Sequence, residues 1–159
     1  RVQKLISYAK NKHPDTPIVV LAHSMGCGIA SHLELGDVDK VIFVAPAAGN
    51  VFINLRKRYG DEIINTGGMV KTSDGLNKLV SKEYLDSVAD ITWEDEYKKL
   101  LNRFKSVYVF EAGDEEIVGE ERFLHRNLGF KYYKVVEGAT HNVHGRGLEN
   151  LFSELDQLV

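Results

Sequence analysis

Apolar residues recur in two rhythms along this chain. Val2, Leu5, Ile6 and Ala9 fall at helical spacing, with Lys4, Lys10, Asn11 and Lys12 off that face, which predicts an amphipathic helix over 1–12. His13-Pro14-Asp15-Thr16-Pro17 ends it, because its two prolines cannot continue a helix. A continuous apolar, β-branched run over 18–22 follows and predicts a strand buried on both faces, as in a parallel sheet. Gly26, Gly28, Ala30 and Ser31 then mark a helix from Met25 to about Leu35 whose small residues pack close to the sheet, with Gly36 as its C-cap. Val41-Ile42-Phe43-Val44-Ala45 is the next buried strand, stopped by Pro46. Strand, helix and strand in succession form a βαβ unit, which is right-handed in nearly all cases.

Residues 47–92 are the least regular, with Gly60, Gly67, Gly68 and Gly75 among mixed apolar and polar residues. Phe52, Tyr59, Tyr84 and Trp93 argue against disorder, so this stretch reads as an insertion, a small cap or pocket wall that reaches residue 104 with the helix that follows. Trp93, Tyr97, Leu100, Leu101 and Phe104 set that helix. Val107 to Phe110 is a third strand, Glu120 to Leu128 a short helix ended by Gly129, and Tyr132 to Val136 a fourth strand. A last helix begins near Leu148, with Leu151, Phe152, Leu155 and Val159 as its buried stripe. The predicted class is α/β, a mostly parallel sheet with flanking helices, in one domain over 1–159.

Composition narrows the function classes. At 159 residues, 43% hydrophobic and 27% charged, the chain suits one globular core. A net charge of −3, with no block of like charge, gives no reason to expect nucleic acid, and no apolar run is long enough to span a bilayer. The single cysteine, Cys27, leaves no internal disulfide framework and reads as a small packing residue; a cytoplasmic location is the expectation. The loop after the first strand lacks G-x-G-x-x-G and a P-loop lysine, which argues against a nucleotide-binding domain. His141-x-x-His144 lacks the spacing and the glutamate of a zinc helix, so neither metal nor cofactor is expected.

The chemistry is concentrated at Ala22-His23-Ser24-Met25-Gly26, where a strand passes straight into a helix through a turn with serine at its tip. This is close to the G-x-S-x-G nucleophile elbow, with alanine at the first glycine position. The steric expectation is that the residues two before and two after Ser24 must be small, or their side chains would collide across the turn. The N–H of Met25 would then sit at a helix N-terminus, aimed at a developing oxyanion and worth roughly 3–4 kcal/mol. On these residues the chain resembles the C-terminal part of an α/β-hydrolase, entering at the helix before the nucleophile strand. The chain opens on Arg1 inside a helical pattern, and the resemblance implies that the N-terminal strands of the full fold lie outside it.

The resemblance implies a Ser–acid–His order. Gly138-Ala139-Thr140-His141 after the fourth strand resembles the family's histidine loop, which makes His141 the base. His144 reads as lining the site or capping the last helix, and His23 as pointing away from the serine. His13, His32 and His125 read as surface residues without a role. The family often shows Gly-x-x-Asp-x-x-Val after the third strand. Counting back from Val118 puts Glu115 at the acid position, while residue type favours Asp114, and both stay open. The implied reaction is acyl transfer on a small ester or similar acyl substrate. Residues 67–90 are loosely similar to bacterial esterases of the feruloyl and cinnamoyl type. In the full fold a second oxyanion donor comes from a loop after an earlier strand, which is not found before Ser24 here. That keeps a second reading open, a non-catalytic relative that binds a small molecule or a protein. The resemblance also implies that residues 18–22 present an unpaired apolar edge, so that the chain is either part of a longer protein or associates through that edge.

Overall fold

The computed structural model describes residues 1–71, 75 and 77–158. Helix α1 (Val2–Lys12) leads through the proline-containing turn into β1 (Val19–His23), and α2 (Met25–Ala30) connects β1 to β2 (Lys40–Val44). After β2 come α3 (Val51–Thr66), the hairpin of β3 (Gly68–Lys71) and β4 (Asn77–Val80), α4 (Lys82–Ser87) and α5 (Trp93–Arg103). The chain then returns to the sheet as β5 (Val107–Ala112), forms a 3₁₀ helix (Gly119–Asn127), adds β6 (Tyr132–Val136) and ends in α6 (Arg146–Leu155). The main sheet runs β1-β2-β5-β6 with every pair parallel, so all four C-terminal strand ends lie along one edge. Val159, expected on the stripe of the last helix, lies outside the described residues. Among the described residues no helix is long and apolar enough to cross a membrane.

Alternation along the strands divides the core into two layers. Val41, Phe43, Val107 and Val109 face α1, α2 and α5, where they meet Ile6, Cys27, Tyr97, Leu100 and Leu101. Ile42, Val44, Tyr108 and Phe110 face the other way, onto Val143 and Leu151. Fully burying a side chain such as Phe43 or Leu100 is worth roughly 1.5–3 kcal/mol each over leaving it exposed. The hairpin, α3 and α4 enclose a third, smaller core of Ile64, Val70, Val80 and Leu85.

The structure departs from the sequence reading at five points. β1 is the edge strand of the described sheet, as the resemblance implied, but it is not buried on both faces: Val19 and Leu21 are 43% and 56% exposed. They share a sheet face with Ile42 and Val44, which are buried in the cluster that includes Leu151 of α6, but that cover does not extend over β1. α2 stops at Ala30 rather than near Leu35. His32 N–H and Leu33 N–H reach back only three residues, to Ile29 and Ala30, and this tighter turn carries Leu35 into the core and leaves Gly36 outside any cap. Residues 47–92 are largely regular: Asn50 caps α3 by accepting from Ile53 N–H, and Gly60, at φ 82°, kinks that helix. The helix around residue 124 is 3₁₀, whose three-residue turn points Arg122 and His125 inward together, so His125 is buried and not on the surface.

The fifth departure concerns the small residues after Ser24. A side chain at Gly26 would meet nothing within 4 Å, so the expected collision is absent there. The tight position is Gly28, where a Cβ would lie 1.9 Å from the Trp93 ring, itself stacked on Tyr97. Gly26→Ala is therefore expected to change stability by no more than about 1 kcal/mol, the helix-propensity difference. Gly28→Ala is expected to cost roughly 1–3 kcal/mol by overpacking. Urea midpoints of the two variants check this; equal midpoints would contradict it.

Candidate active site

Ser24 sits where β1 ends and α2 begins, at φ 53° and ψ −128°. Non-glycine residues avoid this region, and holding one there costs on the order of 1–3 kcal/mol. The surrounding ladder imposes it: Ser24 N–H donates to the Val44 carbonyl at 3.1 Å, and Ala22 before it is buried. The side chain is thereby pushed out above the strand ends, half-buried. Met25 is the first residue of α2, so its N–H has no acceptor within the helix.

Two loops from the same sheet edge meet Ser24. The loop after β6 carries His141, 4% exposed, with Nε2 2.7 Å from Ser24 Oγ. The loop after β5 carries Glu115, 8% exposed, with Oε2 and Oε1 2.8 and 3.0 Å from His141 Nδ1. A carboxylate can only accept, so Nδ1 holds the ring proton and Nε2 presents its lone pair to the serine hydroxyl. Glu115 Oε1 also accepts from the N–H groups of Ile117 and Val118 at 2.8 and 2.9 Å. Burial pushes the Glu115 carboxyl up, but the His141 bond and the two N–H groups outweigh it and hold it below the ordinary carboxylate value.

Of the residues singled out in the sequence, Ser24, His141 and Glu115 come together. Asp114 does not join them: it is exposed, and its contact with the site is its N–H, which donates to the Ala139 carbonyl at 2.9 Å. His144 is exposed and neither lines the cleft nor caps α6, whose N-cap is Gly145. His23 does not simply point away. Its Nε2–H donates to the His141 carbonyl at 2.7 Å, and its ring lies 5.2 Å from that of His141. Glu116 fixes the same loop by accepting from His141 N–H at 2.9 Å. The acidic run 114–116 hinted at this contact, but only the fold distributes its three members. Cys27 is buried, donates weakly to the Ala22 carbonyl, and has its thiol pushed up by burial. Among the described residues no cluster of His, Cys, Asp and Glu is arranged to hold a metal ion.

A cleft of about 490 Å³ opens beside Ser24 and His141. Its walls are largely apolar, with Met25, Val51, Leu55, Trp93 and Ile117 among them, and Lys57 and Arg58 of α3 border it. Lys57 pairs with Glu121 of the 3₁₀ helix at 2.9 Å, joining two of its walls.

Neither a protein-family model nor a curated protein sequence matches the chain. Solved structures do. The esterase Est1E from Butyrivibrio proteoclasticus, solved with ferulic acid bound, matches with a TM-score of 0.68 at 20% identity, over 99% of this chain and 65% of that one. The esterase domain of a Rhodothermus marinus protein matches with a TM-score of 0.59 at 16% identity, over 95% of this chain and 61% of that one. The mouse α/β hydrolase domain-containing protein 10 matches with a TM-score of 0.60 at 14% identity, over 98% and 68%. The chain thus spans less than two thirds of the length of the two esterases. These likenesses show the fold, which is the α/β-hydrolase fold.

The depressed Glu115 carboxyl gives the stability curve a sign. A group with a lowered folded-state pKa stabilises the fold above its ordinary value, here 4.5, and loses that contribution as the pH falls through the lower folded value. The urea midpoint of the wild type is expected to drop more steeply below pH 4.5 than that of Glu115→Gln. Parallel curves would contradict this.

Proposed function

We propose that this chain, which has the α/β-hydrolase fold, carries the catalytic part of a serine hydrolase that cleaves a small carboxylic ester or similar acyl bond. The observation that carries the reading is the unbroken contact from Glu115 through His141 to Ser24, with the proton on Nδ1 and the lone pair at Nε2 facing the hydroxyl. Ser24 Oγ attacks the carbonyl carbon as His141 Nε2 takes its proton. The tetrahedral oxygen is held by the Met25 N–H, which the helix start leaves without an internal acceptor. The intermediate collapses as His141 returns the proton to the departing alcohol, and water releases the acyl group from Ser24 by the same steps in reverse order of partners. Glu115 holds the ring in this tautomer and stabilises the imidazolium. Asp114, exposed and bonded through its backbone N–H to the Ala139 carbonyl, is set aside as the acid.

The apolar lining of the cleft supports a substrate with an uncharged carbon skeleton on at least one side of the ester. Est1E was solved with ferulic acid, an aromatic acid, and we extend the substrate class to aromatic acyl groups on that likeness. In this reading residues 47–104 supply a pocket wall through α3 and the start of α5, since Val51, Leu55, Arg58 and Trp93 line the cleft.

Hydrolysis of p-nitrophenyl acetate and a phenolic-acid ester by single variants tests the reading. Ser24→Ala is expected to abolish turnover, and Glu115→Gln to lower kcat by about 10²–10⁴-fold with the wrong tautomer favoured. Asp114→Asn is expected to stay within about twofold of wild type, as for other exposed positions. A folded wild type without turnover would favour the non-catalytic binder, and a large loss in Asp114→Asn would move the acid to that residue.

A further inference from the structure

A second chain of buried ionisable groups runs beside the Ser24 site. His125 of the 3₁₀ helix is fully buried. Its Nδ1 lies 2.5 Å from Glu111 Oε1 on β5, and its Nε2 lies 3.5 Å from Glu94 Oε1 on α5. Both carboxylates are buried too. Carboxylates on the two ring nitrogens call for a proton on each nitrogen, which makes the ring an imidazolium. Burial alone would lower its pKa, but Glu111 and Glu94 together raise it to about 9. Burial likewise pushes Glu94 up, yet the nearby His125 ring and the bond from a backbone N–H hold it below the ordinary carboxylate value.

That N–H belongs to Gly49, which donates to the same Glu94 Oε1 at 2.9 Å. Gly49, at φ 73°, follows directly on Ala47 and Ala48, which line the cleft next to Ser24. α5 grips this short segment twice more. Tyr97 Oη donates to the Ala47 carbonyl at 2.9 Å, and Trp93 N–H donates to the Gly49 carbonyl at 3.1 Å. The Tyr97 ring packs edge-on against His125, with centroids 5.4 Å apart. On the other side, Glu111 lies four residues before Glu115, and Arg122 donates to the carbonyls of Gly113 and Gly119 that bracket Glu115. His125 is thus wedged between the loop that carries Glu115 and the wall that faces Ser24.

We propose that His125 is a positioning residue: the Glu111–His125–Glu94 bridge holds the Ala47–Gly49 wall at its distance from Ser24 and so sets how tightly the part of the substrate lying along that wall is bound. No proton of the reaction passes through it. The consequence for substrate rests on the hydrolase reading above; the grip on the wall does not. Among the described residues, the other titratable groups facing this cluster are Glu115 of the loop after β5, Tyr97 of α5, Tyr133 of β6, Cys27 of α2, and Arg122 and Arg126 on the 3₁₀ helix itself. Burial pushes Tyr97, Tyr133 and Cys27 upward, so His125 is the group whose charge changes first as the pH rises from neutral.

The bridge is tested with His125→Gln and Glu94→Gln, with exposed His13→Gln as control. Two readouts are used: steady-state kinetics on p-nitrophenyl butyrate, and emission of Trp93, the single tryptophan, which lines the cleft. Removing the hydrogen bond from His125 to Glu111 is expected to raise KM about tenfold or more in His125→Gln, and removing the charge of Glu94 about threefold or more in Glu94→Gln. kcat is expected to stay within about twofold. The Trp93 emission should move to longer wavelength in both variants, and the wild-type KM should climb as the pH passes about 9 while that of His125→Gln stays level. Unchanged KM with only a lower melting temperature would overturn the proposal, since the bridge would then serve stability alone. A fall in kcat with KM unchanged would overturn it as well. If His125→Gln does not fold, Glu94→Gln decides alone. If the wild type hydrolyses no ester, the hydrolase reading fails separately, and the emission decides: shifted in the folded variants it supports the grip on the wall, unshifted it overturns it.

Discussion

The strained backbone at Ser24 is the constraint to which the rest of the site answers. An L-residue at φ 53° and ψ −128° does not stay there unless its neighbours leave no alternative. Here β1 is pinned to β2 up to the Val44 carbonyl, and α2 begins at the next residue, with its Gly28 closed against Trp93. The free energy that holds this turn comes from the layer beneath it, where Cys27 and Ala30 pack with Val41, Phe43, Tyr97 and Leu100. Because every strand of the sheet runs parallel, the loops after β5 and β6 emerge at the same edge as the turn. Their meeting at Ser24 is a consequence of topology before it is a matter of side chains.

Around that turn, charge is arranged in two buried carboxylate–histidine pairs with different surroundings. His141 is the exposed-facing member: one nitrogen reaches Ser24 and the cleft, and one carboxylate, Glu115, faces the other. That asymmetry keeps a lone pair available for proton transfer in the proposed reaction. His125 has carboxylates on both sides, which keep its ring charged at neutral pH and suit it to a role in holding structure. The two differ in chemistry because of what lies on the second nitrogen, although both rings are almost wholly buried.

Much of this was legible in the sequence. The run 18–22 followed by His-Ser-Met-Gly located the turn, and Gly-Ala-Thr-His after the fourth strand located the loop that reaches it. Spacing back from Val118 named Glu115, which the fold brings to His141, beside Asp114, which it leaves outside. What could not be read were properties of packing. The apolar character of Val19 and Leu21 is the same whether a face is covered or bare, so the exposed face of β1 had no local signal as against a buried one. His125 looked like a surface residue because its neighbours Glu120, Glu121, Arg122 and Arg126 are charged. Its partners lie 14 and 31 positions away, on β5 and α5, and nothing nearby in sequence announces them. The steric demand assigned to Gly26 belonged to Gly28, because it is set by a ring from a helix some 65 positions later.

The most direct measurement is the intact mass of the folded protein after incubation with a fluorophosphonate, which phosphonylates only a serine already activated by a neighbouring base. The account predicts one adduct on the wild type, none on Ser24→Ala, and a markedly slowed one on His141→Ala. A folded wild type that takes up no adduct, or takes it up equally well without Ser24, would contradict it.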